Sequence, residues 1–371
     1  MKSERSELID LLKVGACILI VWHHLALYSP MAAVASEWFP TLEDFLLDQG
    51  LLAVQVFLVV GGYLNAKSWI RVLAGESFQI APRIWARYVR LAIPLFVALS
   101  VAVLVTAGVR PFFDHSSLSA SPTPLQVVAH VLLLQDILFL EAFSAGVWYV
   151  AIDFQLFVIA IACAWLAHSW QHISKSGSVV RKALLMWATL TLLSAFFWNL
   201  HPPGEIWGTY FFCAYGLGLC IGCWRQANLR WSYLSLAILI ALLGALAYAF
   251  QPRIRLAVAV VTALVLCLYE SREGRSLAVL GAPWLRDFAN ASYAIFLVHF
   301  GVSLVISALV FNFWSESIPI NLMGLLVSFA ASVWLGRLIH MHIESKPPSL
   351  KRVVQWVAIF SASSAVAMLI S

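Results

Sequence analysis

Long apolar runs recur along the chain, separated by short polar stretches that collect Lys, Arg, Gly and Pro. Eleven can be marked, at about residues 9–29, 47–66, 91–109, 145–167, 183–200, 207–224, 232–250, 256–270, 290–311, 321–341 and 353–370. Each is continuous rather than alternating, which predicts helices and not the strands of a β-barrel. Most reach about 18 residues, the length that crosses a hydrocarbon core of about 30 Å. The pattern predicts an all-α, polytopic transmembrane helical bundle of about 10–11 spans. No small-residue cleavage site precedes Glu37, so the first run is expected to stay as the first span rather than leave as a signal peptide. Composition agrees. Of 371 residues 62% are hydrophobic and 11% charged, with a mean hydropathy of +0.89, against about 25% charged residues in soluble proteins.

The distribution of cations orients the runs, because Lys and Arg are retained on the cytoplasmic side. With the N-terminus inside, 20 of the 23 basic residues fall on the inner side, and Arg110, Arg253 and Arg255 remain outside. The same count bears on residues 125–140, "LQVVAHVLLLQDILFL". Treating them as a span would turn the basic loop at 168–182 and every later loop outward. They are better read as an amphipathic or re-entrant helix on the outer face.

Polar residues inside spans are costly and mark function by default. In "KVGACILIVWHHLALYSP", residues 13–30, Lys13 and His24 lie eleven residues apart. That is three helical turns plus about 20°, so they share one face, separated by about 16 Å along the axis. His23 lies about 100° off this stripe, and suits a ring at headgroup level. Gln55 and Asp153 lie about 12 Å below the outer ends of their spans, and His299 lies near the middle of its own. In "RIWARYVR", Arg83, Arg87 and Arg90 form a basic stripe at the start of the third span. It suits either anchoring at the inner surface or a cradle for phosphates, which the planar guanidinium binds well. The six cysteines fall inside apolar runs without metal-ligand spacing, which predicts buried thiols and no metal.

Several motifs, taken in order, give this chain a likeness. Lys13-x10-His24 opens it; "AVQVFLVVGGYL" is similar to G-V-D-x-F-F-x-x-S-G-F-L, with Ala53, Gln55 and Gly61 departing. "RYVRLAIP" supplies Arg87, Arg90 and Pro94, and "WYVAIDFQLF" is similar to W-x-L-x-x-E-x-x-F, with Asp153 for Glu. "ASYAIFLVHF" supplies Ser292, Tyr293 and His299, and "HIESKPP" is a loosened I-E-K-P. The chain resembles the acyltransferase 3 family of integral membrane O-acyltransferases.

The resemblance implies transfer of an acyl group, acetyl foremost, from cytoplasmic acyl-CoA to a hydroxyl of a cell-surface or lipid-linked glycan. It implies a bacterial inner-membrane protein of the cell envelope, with no bound cofactor and no nucleic-acid partner. In that frame His24 is the general base, since a neutral imidazole suits a weakly nucleophilic hydroxyl. Asp153 is the carboxylate expected to orient it. Lys13, Arg87 and Arg90 are expected at the donor, whose extended pantetheine arm is of the order of the Lys13-to-His24 rise, about 16 Å. Gln55, Trp148, Tyr149, Ser292, Tyr293 and His299 are candidate lining. Residues 1–350 form the expected membrane domain, and 351–371 an accessory C-terminal transmembrane helix. The rival class is a multi-span transporter with an intramembrane His/Asp relay.

Overall fold

The computed structural model describes residues 7–73, 78–174, 177–224, 227, 232–271 and 282–370, and every regular element among them is helical. In chain order these are α1 (Glu7–Tyr28), α2 (Pro30–Ala35), α3 (Pro40–Gln49), α4 (Ala53–Leu73), α5 (Ala81–Val109), α6 (Pro124–Val131) and α7 (Val147–Ser174). The chain continues through α8 (Val179–Phe196), α9 (Gly208–Cys223), α10 (Tyr233–Phe250), α11 (Ile254–Ser271), α12 (Pro283–Trp314), α13 (Ile318–Ile339) and α14 (Leu350–Ile370). Ten helical stretches among the described residues are long and apolar enough to cross a membrane, and α9 is a shorter apolar helix of 16 residues. The eleven apolar runs are thus ten full-length helices plus α9. Lys2, Arg5, Lys175, Arg225, Arg230, Arg272 and Arg275, on which the orientation partly rests, lie outside the described residues.

Residues 125–140 do not form a span. The helix there, α6, ends at Val131 after eight residues, about 12 Å at 1.5 Å per residue. Its start is fixed by a capping box: the Thr123 hydroxyl accepts from the Gln126 N–H, and the Gln126 side chain returns to the Thr123 N–H. Beyond it Leu133 and Phe139 take positive φ, which breaks the helical path.

The chain forms two compact units. One comprises the start of α1 to Lys13, Val54–Arg87 and Ile152–Gly281. Here α4 and α9 run backbone to backbone: a Cβ on Gly218 would strike the Val59 carbonyl, and one on Gly222 the Tyr63 carbonyl. Such small-residue contacts are how helices associate where lipid removes the hydrophobic drive. Trp187 of α8, fully buried, donates its indole N–H to the Ala160 carbonyl of α7 at 3.0 Å.

The other unit comprises Val14–Ala53, Tyr88–Ala151 and Ala282–Ser371. α12 packs along α13, and α2 packs against both. α14 is seated here: Val353 packs with Val89 and Ile93 of α5. Phe360 stacks on Phe96 at 5.9 Å and meets Phe143 edge-on at 6.1 Å. α5 carries Pro94 in its interior, which removes one backbone donor and crowds the preceding turn. In that turn the Tyr293 hydroxyl donates to the Leu91 carbonyl at 2.9 Å, the kind of side-chain repair that lets proline persist in membrane helices.

Candidate active site

Two polar clusters are built inside these helices, one in each unit. The first centres on His24, four residues from the end of α1 and 4% exposed. Its Nδ1 lies 2.8 Å from Nε2 of His299 on α12, itself 1% exposed, and the rings are close to coplanar at 17°. His299 Nδ1 lies 2.5 Å from the Phe296 carbonyl one turn earlier. A carbonyl only accepts, so His299 Nδ1 must carry the proton and donate it. With both rings neutral, His299 Nε2 is then an acceptor and His24 Nδ1 the donor. Nε2 of His24 is left as the lone-pair nitrogen. The chain Phe296 carbonyl, His299, His24 thus fixes both the tautomer and the orientation of the His24 ring.

Aromatic groups close around this pair. Tyr28, at i+4 on α1, lies 5.7 Å from the His24 ring, and Phe296 lies 6.1 Å from it. Phe296 is in turn held edge-on by Tyr149 at 5.6 Å and by Gly146. Gly146 has φ +80°, and any Cβ there would enter the Phe296 ring, so the position requires glycine twice over. Trp148 meets Tyr149 edge-on at 6.3 Å. His23 is 5% exposed and donates from Nδ1 to the Leu46 carbonyl at 2.8 Å. Gly50 packs directly on its Cβ. His23 is therefore turned into the protein, where it pins the α3–α4 junction onto α1.

Two of the candidate lining residues, Ser292 and Tyr293, spend their hydroxyls on the backbone. The Ser292 hydroxyl donates to the Ala289 carbonyl at 2.9 Å, and the Tyr293 hydroxyl to the Leu91 carbonyl. Cys17 of α1 reaches the Ser292 carbonyl at 3.5 Å.

The second cluster centres on Asp153 of α7, 4% exposed, which accepts from Arg87 of α5 in an ion pair. The Arg87 guanidinium lies 5.5 Å over the Phe157 ring. The Tyr215 hydroxyl of α9 accepts from Asn65 of α4 at 2.7 Å. A Cβ on Gly61 would lie 3.6 Å from the Tyr215 ring and 3.9 Å from Asp153 Oδ1. The motif position where serine gives way to glycine therefore faces this carboxylate. Sequence reasoning sets Asp153 beside His24; the structure gives it Arg87 as its ion-pair partner and gives His24 Nδ1 the second histidine. Gln55 is buried on α4, Lys13 is half-buried on α1, and Arg90 is exposed on α5.

Sequence reasoning misses the pairing of His24 with His299 because the residues are 275 positions apart. The one signal within reach is that both stand at motif histidines on spans.

A family model described as an acyltransferase domain matches residues 7–337, nearly the whole chain. The chain is also 25% identical over 173 residues to the regulator of hypoxia-inducible factor 1 from Caenorhabditis elegans. That match covers 43% of this chain and 34% of the worm protein, so the chain spans about a third of that relative's length. No solved structure matches the chain at a significant level.

Proposed function

Because the chain belongs to the acyltransferase 3 family, we propose that it carries an acyl group, acetyl foremost, from acyl-CoA to a hydroxyl of an extracytoplasmic or lipid-linked glycan. It is an integral, multi-pass membrane acyltransferase, and the family match decides against the transporter reading. The setting proposed for this activity is the bacterial inner membrane, with the N-terminus inside.

The observation that carries the mechanism is the His24–His299 contact at 2.8 Å. Held by His299 at Nδ1, the His24 ring offers Nε2 to an acceptor hydroxyl. As that oxygen attacks the thioester carbonyl, its proton passes to Nε2, the new C–O bond forms and the C–S bond breaks. The proton then passes to the departing CoA sulfur, leaving ester and free thiol. While His24 is protonated, His299 Nε2 accepts its Nδ1–H, the role a carboxylate fills in hydrolase triads. A neutral partner stabilises the imidazolium less than a carboxylate does, but needs no buried negative charge in the bilayer.

The donor's charged nucleotide belongs at the inner surface, where Arg90 is exposed on α5. Arg87 is committed to Asp153, so we assign this pair first to fixing α5 against α7.

The test is direct. The purified protein supplied with acetyl-CoA and candidate glycan acceptors should release free CoA and an O-acetylated product. Surface glycans of cells lacking the gene should lose that acetyl by mass spectrometry. Unchanged glycans together with an intact thioester would overturn the proposal.

A further inference from the structure

Arg110, Arg253 and Arg255 are the three cations that the orientation leaves on the outer side, and two of them are answered within the protein. Arg110 donates to the Ser119 carbonyl at 2.5 Å, and Arg255 pairs with Glu205 at 2.7 Å. Arg253 differs. Like Arg110 it meets only neutral oxygens, the Asn199 side-chain oxygen at 2.9 Å and the Gln251 carbonyl at 3.3 Å, but its Nη2 is buried without a protein partner. Burial pulls its pKa below the usual arginine range. A guanidinium nitrogen that has lost water and gained no partner lacks the charge-assisted bond that makes such a group favourable.

Arg253 sits in the tight turn from α10 to α11, at one end of a cavity of about 310 Å³ between those two helices. Ala241, Gly244, Tyr248, Ala257 and Val260 line it. The volume is at the low end of ligand pockets, roughly 300–1,000 Å³. Its walls are apolar apart from Arg253 and the Tyr248 hydroxyl. α10 and α11 turn large apolar side chains outward: Leu242 is 54%, Leu246 64% and Val261 58% exposed. That face belongs to the bilayer. Tyr248 and Phe250, both exposed at the end of α10, set the headgroup level, where aromatic side chains gather. An uncompensated cation therefore stands at headgroup depth, above a hydrocarbon-lined groove.

We propose that the α10–α11 groove binds one anionic phospholipid, with its phosphate on the Arg253 guanidinium and an acyl chain between the helices. Charge complementarity selects this occupant. A helix from a second copy of the chain would fill the groove but leave Arg253 unanswered.

The experiment is native mass spectrometry of the full chain released from detergent, titrated with dioleoyl phosphatidylglycerol or with phosphatidylcholine of the same chains. The wild type should retain one phosphatidylglycerol in preference to phosphatidylcholine. Arg253→Gln should weaken that binding by about tenfold, the loss of one charged hydrogen bond, and Arg253→Lys should keep most of it. Ala257→Phe should displace the lipid by filling the groove. Equal retention of the two lipids by the wild type overturns the proposal whatever the variants do. So does unchanged phosphatidylglycerol binding in both Arg253→Gln and Ala257→Phe. A dimer that Ala257→Phe dissociates would assign the groove to a second copy instead.

Discussion

In the proposed mechanism a single nitrogen, His24 Nε2, takes the proton, and the tautomer that frees it is set by the hydrogen bonds running through His299 to the Phe296 carbonyl. His299 donates to Phe296 and accepts from His24, so His24→Ala and His299→Ala should fail differently. The first removes the base and should cost roughly 10²–10⁴-fold in kcat. The second leaves the base but frees its ring; kcat should fall while KM for acyl-CoA changes little, the signature of an interaction made at the transition state. His299→Gln, whose amide oxygen can still accept from His24 Nδ1, should recover part of the loss. Wild-type kcat in His299→Ala would sink the relay. The Arg87–Asp153 pair calls for a different measurement. Removing one partner strands a buried charge, worth about 3–5 kcal/mol, so Asp153→Asn should lower the melting temperature in detergent. If Asp153→Asn melts like wild type and is inactive, the carboxylate acts in the chemistry rather than in the packing. His24 was legible because a histidine on the Lys13 stripe is conspicuous in an apolar run. Its partner was not, since helix periodicity says which face a residue occupies and never which distant helix meets that face.

At the scale of elements, the apolar runs located the spans because hydrocarbon length is a strict filter, but they missed helix ends that carry charge. α5 begins at Ala81, ten residues before its apolar run, since the Arg83–Arg87–Arg90 turns are helical yet cationic. The 125–140 segment shows the converse: apolar enough to mislead, it is stopped at Val131 by backbone geometry that hydropathy does not encode. The irregular stretch between α6 and α7 is held by His130, fully buried and stacked on Phe143 at 4.3 Å. Its Nδ1 donates to the Gln126 carbonyl at 2.7 Å and its Nε2 accepts from the Phe143 N–H at 3.2 Å. The second bond requires the neutral ring, since a protonated Nε2 cannot accept, and burial pushes its pKa down to about 4. A histidine depressed in the folded state contributes fully above its unfolded pKa of about 6.5 and loses that contribution as pH falls toward 4. Hydrogen exchange in residues 124–146 should therefore accelerate between pH 6.5 and pH 4, after correction for intrinsic rates. His130→Gln should flatten the change. An identical pH response in the variant would remove His130 as the cause.

At the scale of the whole molecule, the question is whether donor and acceptor approach from opposite faces, and the charge pattern supplies the expectation. The segment from Glu37 to Asp48 carries Glu37, Glu43, Asp44 and Asp48 without Lys or Arg, while the start of α5 carries Arg83, Arg87 and Arg90. On the proposed orientation, with the cations held inside, the CoA nucleotide would meet one surface and the sugar hydroxyl the other. In sealed vesicles of known orientation, acyl-CoA should be consumed only from the face bearing the arginines, and acylated glycan should appear only on the opposite face. Two cysteine substitutions at exposed positions, Asp44→Cys and Ala81→Cys, report the faces independently of activity. The background is low, because five of the six native cysteines are buried and Cys163 is half-buried. An impermeant maleimide should label the first only from the acceptor side and the second only from the donor side. Labelling of both from one side would refute the orientation and leave the His24–His299 relay untouched. Correct labelling with donor and product on the same face would leave the orientation standing, and would make this a one-sided acyltransferase whose acceptor enters from the cytoplasm.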